Sequence, residues 1–280
     1  MNYRHAFHAG NFADVMKHIL LTFILQHLRR KETPFRVVDT HAGIGFYDLD
    51  GDEALRTGEW RSGVGALDRP FDPAVEAAIA PYRDLLAAVR ARRGDTIYPG
   101  SPSIIRELLR PADRAIFLEK HPEDGLLLEE RFNTVQTTKV LRQDGWTALP
   151  GLIPPRERRG LVLIDPPYEE PGELDHAISR LQRATAKWPT GIFALWYPVK
   201  DTREIAAFAT ALRNAIDLPV LRLELLVDNQ SDRTRLNGSG LVVVNPPYRL
   251  DEQAELVLPA LAERLARRGS GAYLCEAVAS

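Results

Sequence analysis

The sequence predicts an α/β fold: a mostly parallel, seven-stranded sheet covered on both faces by helices, with a small helical insertion. Three observations predict it. Short β-type runs such as Leu161-Val162-Leu163-Ile164 and Leu241-Val242-Val243-Val244 are apolar throughout rather than alternating, as strands buried on both faces are. They alternate along the chain with longer stretches of helical spacing. Several of them end in an acid, and open α/β sheets bind ligands at the carboxyl ends of their strands.

Residues 11–31 open the chain as a helix, with Phe12, Val15, Met16, Ile19 and Phe23 at helical spacing. Its apolar run, Ile19–Leu25, is too short for a bilayer, which needs roughly 20 apolar residues. Phe35–Asp39 reads as the first strand. Residues 50–98 lack β-type runs and are expected to form a helical lobe inserted into one domain spanning 1–280. Within the lobe Asp72 caps a helix with Pro73 in its first turn, Val75, Ile79, Tyr82, Leu85, Leu86 and Val89 share a face, and Gly94 stops it. Ser101-Pro102 starts another helix, reaching Leu109. Strands follow at 115–119, 139–141, 161–165, 191–197, 219–227 and 241–244, with helices near 123–132, 173–187, 201–215 and 251–267.

Composition places the chain among ordinary globular proteins: 280 residues, 45% hydrophobic and 26% charged. One cysteine, Cys275, leaves no internal disulfide, and with no secretory leader pattern a reducing cytoplasm is the expected compartment. The net charge of −2 argues against binding nucleic acid by bulk charge. Local basic clusters occur at Arg29-Arg30-Lys31, around Arg90, Arg92 and Arg93, at Arg156, Arg158 and Arg159, and at Arg233 with Arg235.

The first strand ends Asp39-Thr40-His41-Ala42-Gly43-Ile44-Gly45. Two glycines so spaced let the backbone turn tightly and approach a ligand. A dinucleotide loop would carry Gly or Ala at position 48, where this chain has Asp48, so NAD chemistry is disfavoured. An acid four residues before the first glycine is instead the pattern of enzymes that use S-adenosylmethionine. Glu119, closing the second strand, could accept both ribose hydroxyls of that cofactor, and Asp144-Gly145 could face its adenine amine. No metal is expected.

The most specific signal is Asp165-Pro166-Pro167-Tyr168. An exocyclic amine is a poor nucleophile because its lone pair is delocalised into the ring. A carboxylate on one N–H and the Pro166 carbonyl on the other would pull the nitrogen toward tetrahedral geometry. Pro167 stiffens the turn without a competing N–H. Tyr168 offers a face on which a base could stack, worth about 1–3 kcal/mol. A second copy, Asn245-Pro246-Pro247-Tyr248, competes, since an amide oxygen also accepts an N–H. Its position after the last of the seven strands favours Asp165, with Asn245–Tyr248 as a sheet-end turn.

The segment Tyr3-Arg4-His5-Ala6-Phe7-His8-Ala9-Gly10-Asn11-Phe12-Ala13-Asp14-Val15-Met16-Lys17-His18 adds a family signal. With Asp39–Gly43, Tyr98-Pro99-Gly100-Ser101-Pro102, Leu163–Glu169 and Ala194-Leu195-Trp196-Tyr197-Pro198, it resembles the RlmJ family of bacterial 23S ribosomal RNA adenine-N6 methyltransferases. The resemblance covers essentially the whole chain. It implies a Rossmann-like class I methyltransferase, a monomer, acting with S-adenosylmethionine on one adenine of protein-poor 23S RNA. Carried over by position, Lys17, His18, His41, Gly43, Ser101, Glu119, Asp144, Gly145 and Asp165 would contact the cofactor. Asp165, with Pro166 and Tyr168, would be catalytic, and Tyr3 would meet the RNA. The loop at 165 alone leaves three other substrates open: adenine or cytosine in DNA, or a protein glutamine. An RNA-binding protein without activity is a further alternative, opposed by the intact acceptor loop.

Overall fold

A computed structural model describes residues 4–133, 136–169, 172–228, 232, 235–269 and 271–278. Tyr3 and Arg233 lie outside the described residues. The first helix, α1 (Phe12–Arg29), is capped by the Asn11 side chain, which accepts from the backbone N–H groups of Ala13 and Asp14. It is buried on nearly every side, and Asp14, Lys17, His18 and Thr22 are buried with its apolar residues. A helix apolar all round belongs inside a fold, so these four polar side chains require partners there.

Strand β1 (Arg36–Asp39) is followed by a ribbon of β2 (Phe46–Asp48) paired antiparallel with β3 (Ile97–Pro99). The ribbon joins the two ends of the expected lobe, so 97–98 are strand rather than helix. Between them lie α2 (Asp52–Thr57), two short 3-10 turns and α3 (Pro73–Arg93). The Asp72 cap, Pro73 and the six expected apolar positions of α3 are all as the spacing predicts. That apolar face packs on α1 and α9 (Leu250–Leu265), inside the same core cluster.

Next come α4 (Ser101–Leu108), β4 (Arg114–Leu118), α5 (Pro122–Phe132), β5 (Thr138–Leu141) and α6 (Gly145–Leu152). The chain continues through β6 (Gly160–Ile164), α7 (Glu173–Lys187), β7 (Ile192–Val199), α8 (Thr202–Ala215), β8 (Val220–Leu226) and β9 (Gly238–Val244), then α9 and β10 (Ala272–Val278). Among the described residues the sheet has eight strands, ordered β10-β8-β9-β7-β6-β1-β4-β5. The expected count of seven missed β10, whose half-exposed residues give no continuous apolar run. It pairs antiparallel with β8 at the sheet edge. Strands β5, β4, β1, β6 and β7 are parallel, and β9 is antiparallel to both β7 and β8. Successive residues of β1 face opposite layers: Val37 packs into the core with α1, α3 and α9, and Val38 into the core with α7 and α8. No described helix is long and apolar enough to cross a membrane.

Candidate active site

The chain leaves β1 toward β4 and β5, then crosses back to β6 on the other side of β1. This reversal opens a crevice at the carboxyl ends of the strands, where ligands of open α/β sheets lie. Asp39, the glycine loop, Glu119, Asp144 and Asp165 all gather at that end, because each ends or closely follows a parallel strand.

Gly43 and Gly45 of the loop hold φ of 62° and 77°, a region that side chains disfavour. The Glu119 carboxylate secures the loop: one oxygen accepts from the Gly43 N–H and the other from the His121 N–H, each at 2.8 Å. Burial nevertheless raises its pKa. Each oxygen keeps a further lone pair, so Glu119 can accept from a ligand as well. Asp39 is buried and accepts from the Ser101 hydroxyl at 2.7 Å. Desolvation, aided by the charge of Asp165 and opposed by the Ser101 bond, raises its pKa to about 7. Ser101 therefore supports the end of β1 through its hydroxyl.

Thr40 donates its hydroxyl to the Leu163 carbonyl at 3.1 Å, leaving an oxygen lone pair for the His41 Nδ1–H at 2.8 Å. That arrangement leaves the free lone pair of His41 on Nε2. Burial lowers the His41 pKa to about 4, so the ring is neutral near pH 7. The ring meets Trp146 edge-on at 5.8 Å. Asp144 caps α6 by accepting from the Thr147 N–H at 2.9 Å, and its other oxygen lies 3.1 Å from Lys120. At Gly145 an added Cβ would stand 2.0 Å from the Thr40 carbonyl oxygen, so only glycine lets α6 start this close to β1.

The loop after β6 places Asp165 beside α1. The Lys17 ammonium donates to the Asp165 carboxylate and lies 3.0 Å from Asp14. Asp14 also meets His5 at 2.8 Å and the Gly10 N–H at 2.9 Å. Burial alone would raise its pKa, but the neighbouring His5, Lys17 and His18 and the His5 bond hold it well below the usual carboxylate range. His18 is itself enclosed, its Nδ1 2.8 Å from the Tyr98 hydroxyl, which lies 3.2 Å from that of Tyr82. Desolvation lowers its pKa to about 3. Pro166 is buried. Tyr168 sits at φ 51°, its hydroxyl donating to the Trp196 carbonyl at 2.7 Å and its ring 5.7 Å from that of Trp196. This tether fixes the face that a base could use.

The second Pro-Pro-Tyr copy is elsewhere. Because β9 runs against β7, Asn245 emerges at the opposite end of the sheet, where its amide donates to the carbonyls of Pro189 and Gly191 at 2.8 and 2.7 Å. Tyr248 is 75% exposed there. It is a sheet-end turn, as its place in the sequence suggested.

The structure thus brings together Lys17, His41, Gly43, Ser101, Glu119, Asp144, Gly145 and Asp165, and encloses His18 directly behind Lys17. Asp14, His5 and Trp196 were read only as parts of the resembling segments, with no role of their own at the site. Asp14, Lys17 and His18 fall on one helix face at i, i+3 and i+4, and three polar residues so placed beside an apolar run were a usable signal.

The family described as Ribosomal RNA large subunit methyltransferase D, RlmJ, matches residues 32–278. The chain belongs to the RlmJ family. It is 38% identical to Ribosomal RNA large subunit methyltransferase J of Haemophilus influenzae over 99% of this chain and 98% of that protein. It is likewise 38% identical to the protein of the same name from Escherichia coli, over 97% and 96%. Among solved structures, a Legionella pneumophila protein superposes with a TM-score of 0.86 at 32% identity, over 97% of this chain and 98% of that one. The N-terminal block, residues 3–18, lies before the matched stretch, whereas the other four segments that carry the resemblance lie within it.

Proposed function

We propose that this RlmJ-family chain transfers a methyl group from S-adenosylmethionine to the exocyclic N6 amine of one adenine in 23S ribosomal RNA. The observation that carries the reading is the position of Asp165. It follows a central parallel strand, next to the glycine loop and within reach of Lys17, in the crevice where an adenosine-containing cofactor would lie. The residues fit such a cofactor: the 40–45 backbone is bare at two glycines, and Glu119 retains acceptor capacity.

The cofactor supplies an electrophilic methyl group on a sulfonium. Lys17 would hold its carboxylate, Glu119 its ribose hydroxyls and Asp144 its adenine amine. Gly43 and Gly145 give the backbone room, while His41 and Ser101 hold the adjoining strand end. His18 would act from behind Lys17. The target base, extruded at a cost of a few kcal/mol, would lie against Tyr168. Asp165 and the Pro166 carbonyl would each accept a hydrogen bond from one amine N–H, which would turn the nitrogen lone pair toward the methyl. Methyl transfer to the amine, with the C–N bond made as the donor's S–C bond is broken, would release one proton, which Asp165 would accept during or after transfer. A free carboxylate of pKa about 3.9 could not deprotonate a neutral aryl amine beforehand. Orientation therefore supplies most of the rate.

The same reading takes 1–280 as one domain with 50–98 inserted, acting as a cytoplasmic monomer without a metal. It takes protein-poor RNA as the substrate, with Tyr3 at the mouth of the site. The decisive experiment incubates the protein and labelled cofactor with 23S RNA from a strain lacking the gene, with DNA, and with unmodified release factor. Label in N6-methyladenosine of the RNA is expected. Label in DNA or in a glutamine side chain instead would overturn the reading.

A further inference from the structure

The proposed RNA substrate requires a place for its phosphates on a protein whose net charge is −2. A groove of about 420 Å³ lies between α6 and α7. Its apolar wall includes Trp146, Leu149 and Ile153, and its cationic wall is Arg180, Arg183 and Lys187. The three cations stand at intervals of three and four along α7, hence on one face, and span about 10 Å at 1.5 Å per residue. They are scattered in the sequence and meet only through helical spacing, unlike the contiguous basic clusters.

Two features mark this group of cations: the groove that it lines and the place of that groove beside the candidate site. Among the described residues no carboxylate lines the groove or pairs with Arg180, Arg183 or Lys187; Arg183 donates to Ser179 of its own helix and Lys187 to the Pro150 carbonyl. Unpaired exposed arginines also occur on other surfaces, Arg29 and Arg156 among them, so it is their place along one groove that sets these three apart. The groove also adjoins the candidate site. The Arg180 guanidinium lies 5.2 Å from the Trp146 ring, and Trp146 meets His41 edge-on. Arg180 is close enough to His41 for its charge to act on that ring.

We infer that the α6–α7 groove is a docking site for the single-stranded RNA flanking the target adenine, with phosphates against Arg183 and Lys187 and the strand leading past Arg180 to the crevice. This rests on the RNA methyltransferase reading. Charge complementarity selects a polyanion, and the apolar wall suits unstacked bases, which a duplex would not present.

The test measures binding to a 23S RNA fragment across a salt series, for wild type and for Arg183→Gln/Lys187→Gln. Both residues are exposed and glutamine is a good helix former, so the fold should persist. Each lost phosphate contact removes about 0.7 from the slope of log affinity against log salt for a single strand. The double variant should therefore show a slope shallower by about 1.4 and a KM for RNA raised roughly tenfold, with cofactor affinity by calorimetry unchanged. Arg29→Gln/Arg30→Gln, at the far end of α1, should leave the slope at the wild-type value. Should the groove variant keep the wild-type slope and KM while wild type still methylates 23S RNA, the docking site is wrong and the function stands. An equal loss in the Arg29/Arg30 variant would likewise reduce the groove to general surface charge and overturn it. If wild type methylates no ribosomal RNA, the underlying function fails first.

Discussion

Lys17 and Asp165, 148 residues apart in the chain, share an ion pair at the centre of the candidate site. Lys17 is almost wholly buried and also faces Asp14. Its ammonium thus divides between an acid of its own helix and the acid of the β6 loop.

Lys17→Met keeps most of the side-chain volume and removes the charge. It should cost about 3 kcal/mol of stability, because two carboxylates lose their buried partner, and it should weaken cofactor binding at least roughly tenfold. Thermal melting and calorimetry check both, and a variant with wild-type affinity would remove Lys17 from the cofactor set.

Asp165→Ala separates binding from chemistry. Methyl incorporation should fall about 10²- to 10⁴-fold, the range expected for a positioned acid–base group, while calorimetry still detects the cofactor. An active alanine variant would end the assigned role.

The copy at Asn245–Tyr248 should be silent in catalysis. Tyr248→Ala should leave kcat and KM at wild-type values. Asn245→Asp should lower stability by about 1–3 kcal/mol through loss of its two donated bonds, again with kcat unchanged. Urea unfolding and steady-state kinetics on the same preparations distinguish the two effects.

Gly145→Ala places a methyl against the Thr40 carbonyl oxygen. Moving α6 away to admit it should cost about 1–3 kcal/mol, and cofactor affinity should fall with it, since the same shift displaces Asp144. Differential scanning calorimetry with and without cofactor reports both changes.

His18 carries a pH signature. Its pKa is lowered from 6.5 to about 3 in the fold, so below pH 6.5 the unfolded chain takes a proton that the native state refuses. Its contribution is complete above that value and is lost as pH falls toward 3. Between pH 7 and pH 5 the stability gap between wild type and His18→Asn should narrow by about 2 kcal/mol. Asp39 acts in the opposite sense: its raised pKa of about 7 costs stability as pH rises from 3.8. The difference between variants, by urea unfolding at each pH, is therefore the readout. A gap that stays constant would mean that His18 takes up its proton as readily in the native state as in the unfolded chain.

Much of this was legible in the residues. The runs at 161–164 and 241–244 marked central strands because burial on both faces admits no polar residue. The acids at 39, 119, 144 and 165 marked the ligand end because parallel strands point their carboxyl ends the same way. Other parts were hidden for physical reasons. Helix α6 carries Gly145, Pro150 and Gly151 within or beside it, residues that ordinarily break helices. Strand β10 is half exposed at an edge, and its partner β8 lies far back in the chain. The Asp14 cluster depends on how α1 meets the β6 loop, a long-range contact that spacing along one helix does not reveal.

The reversed direction of β9 has a practical side. Transplanting the Asp-Pro-Pro-Tyr tetrapeptide into another sheet of this kind would succeed only behind a strand of the correct polarity. Behind a reversed one, identical chemistry would face bare solvent on the wrong rim of the protein, and no optimisation of its side chains would bring it to a substrate.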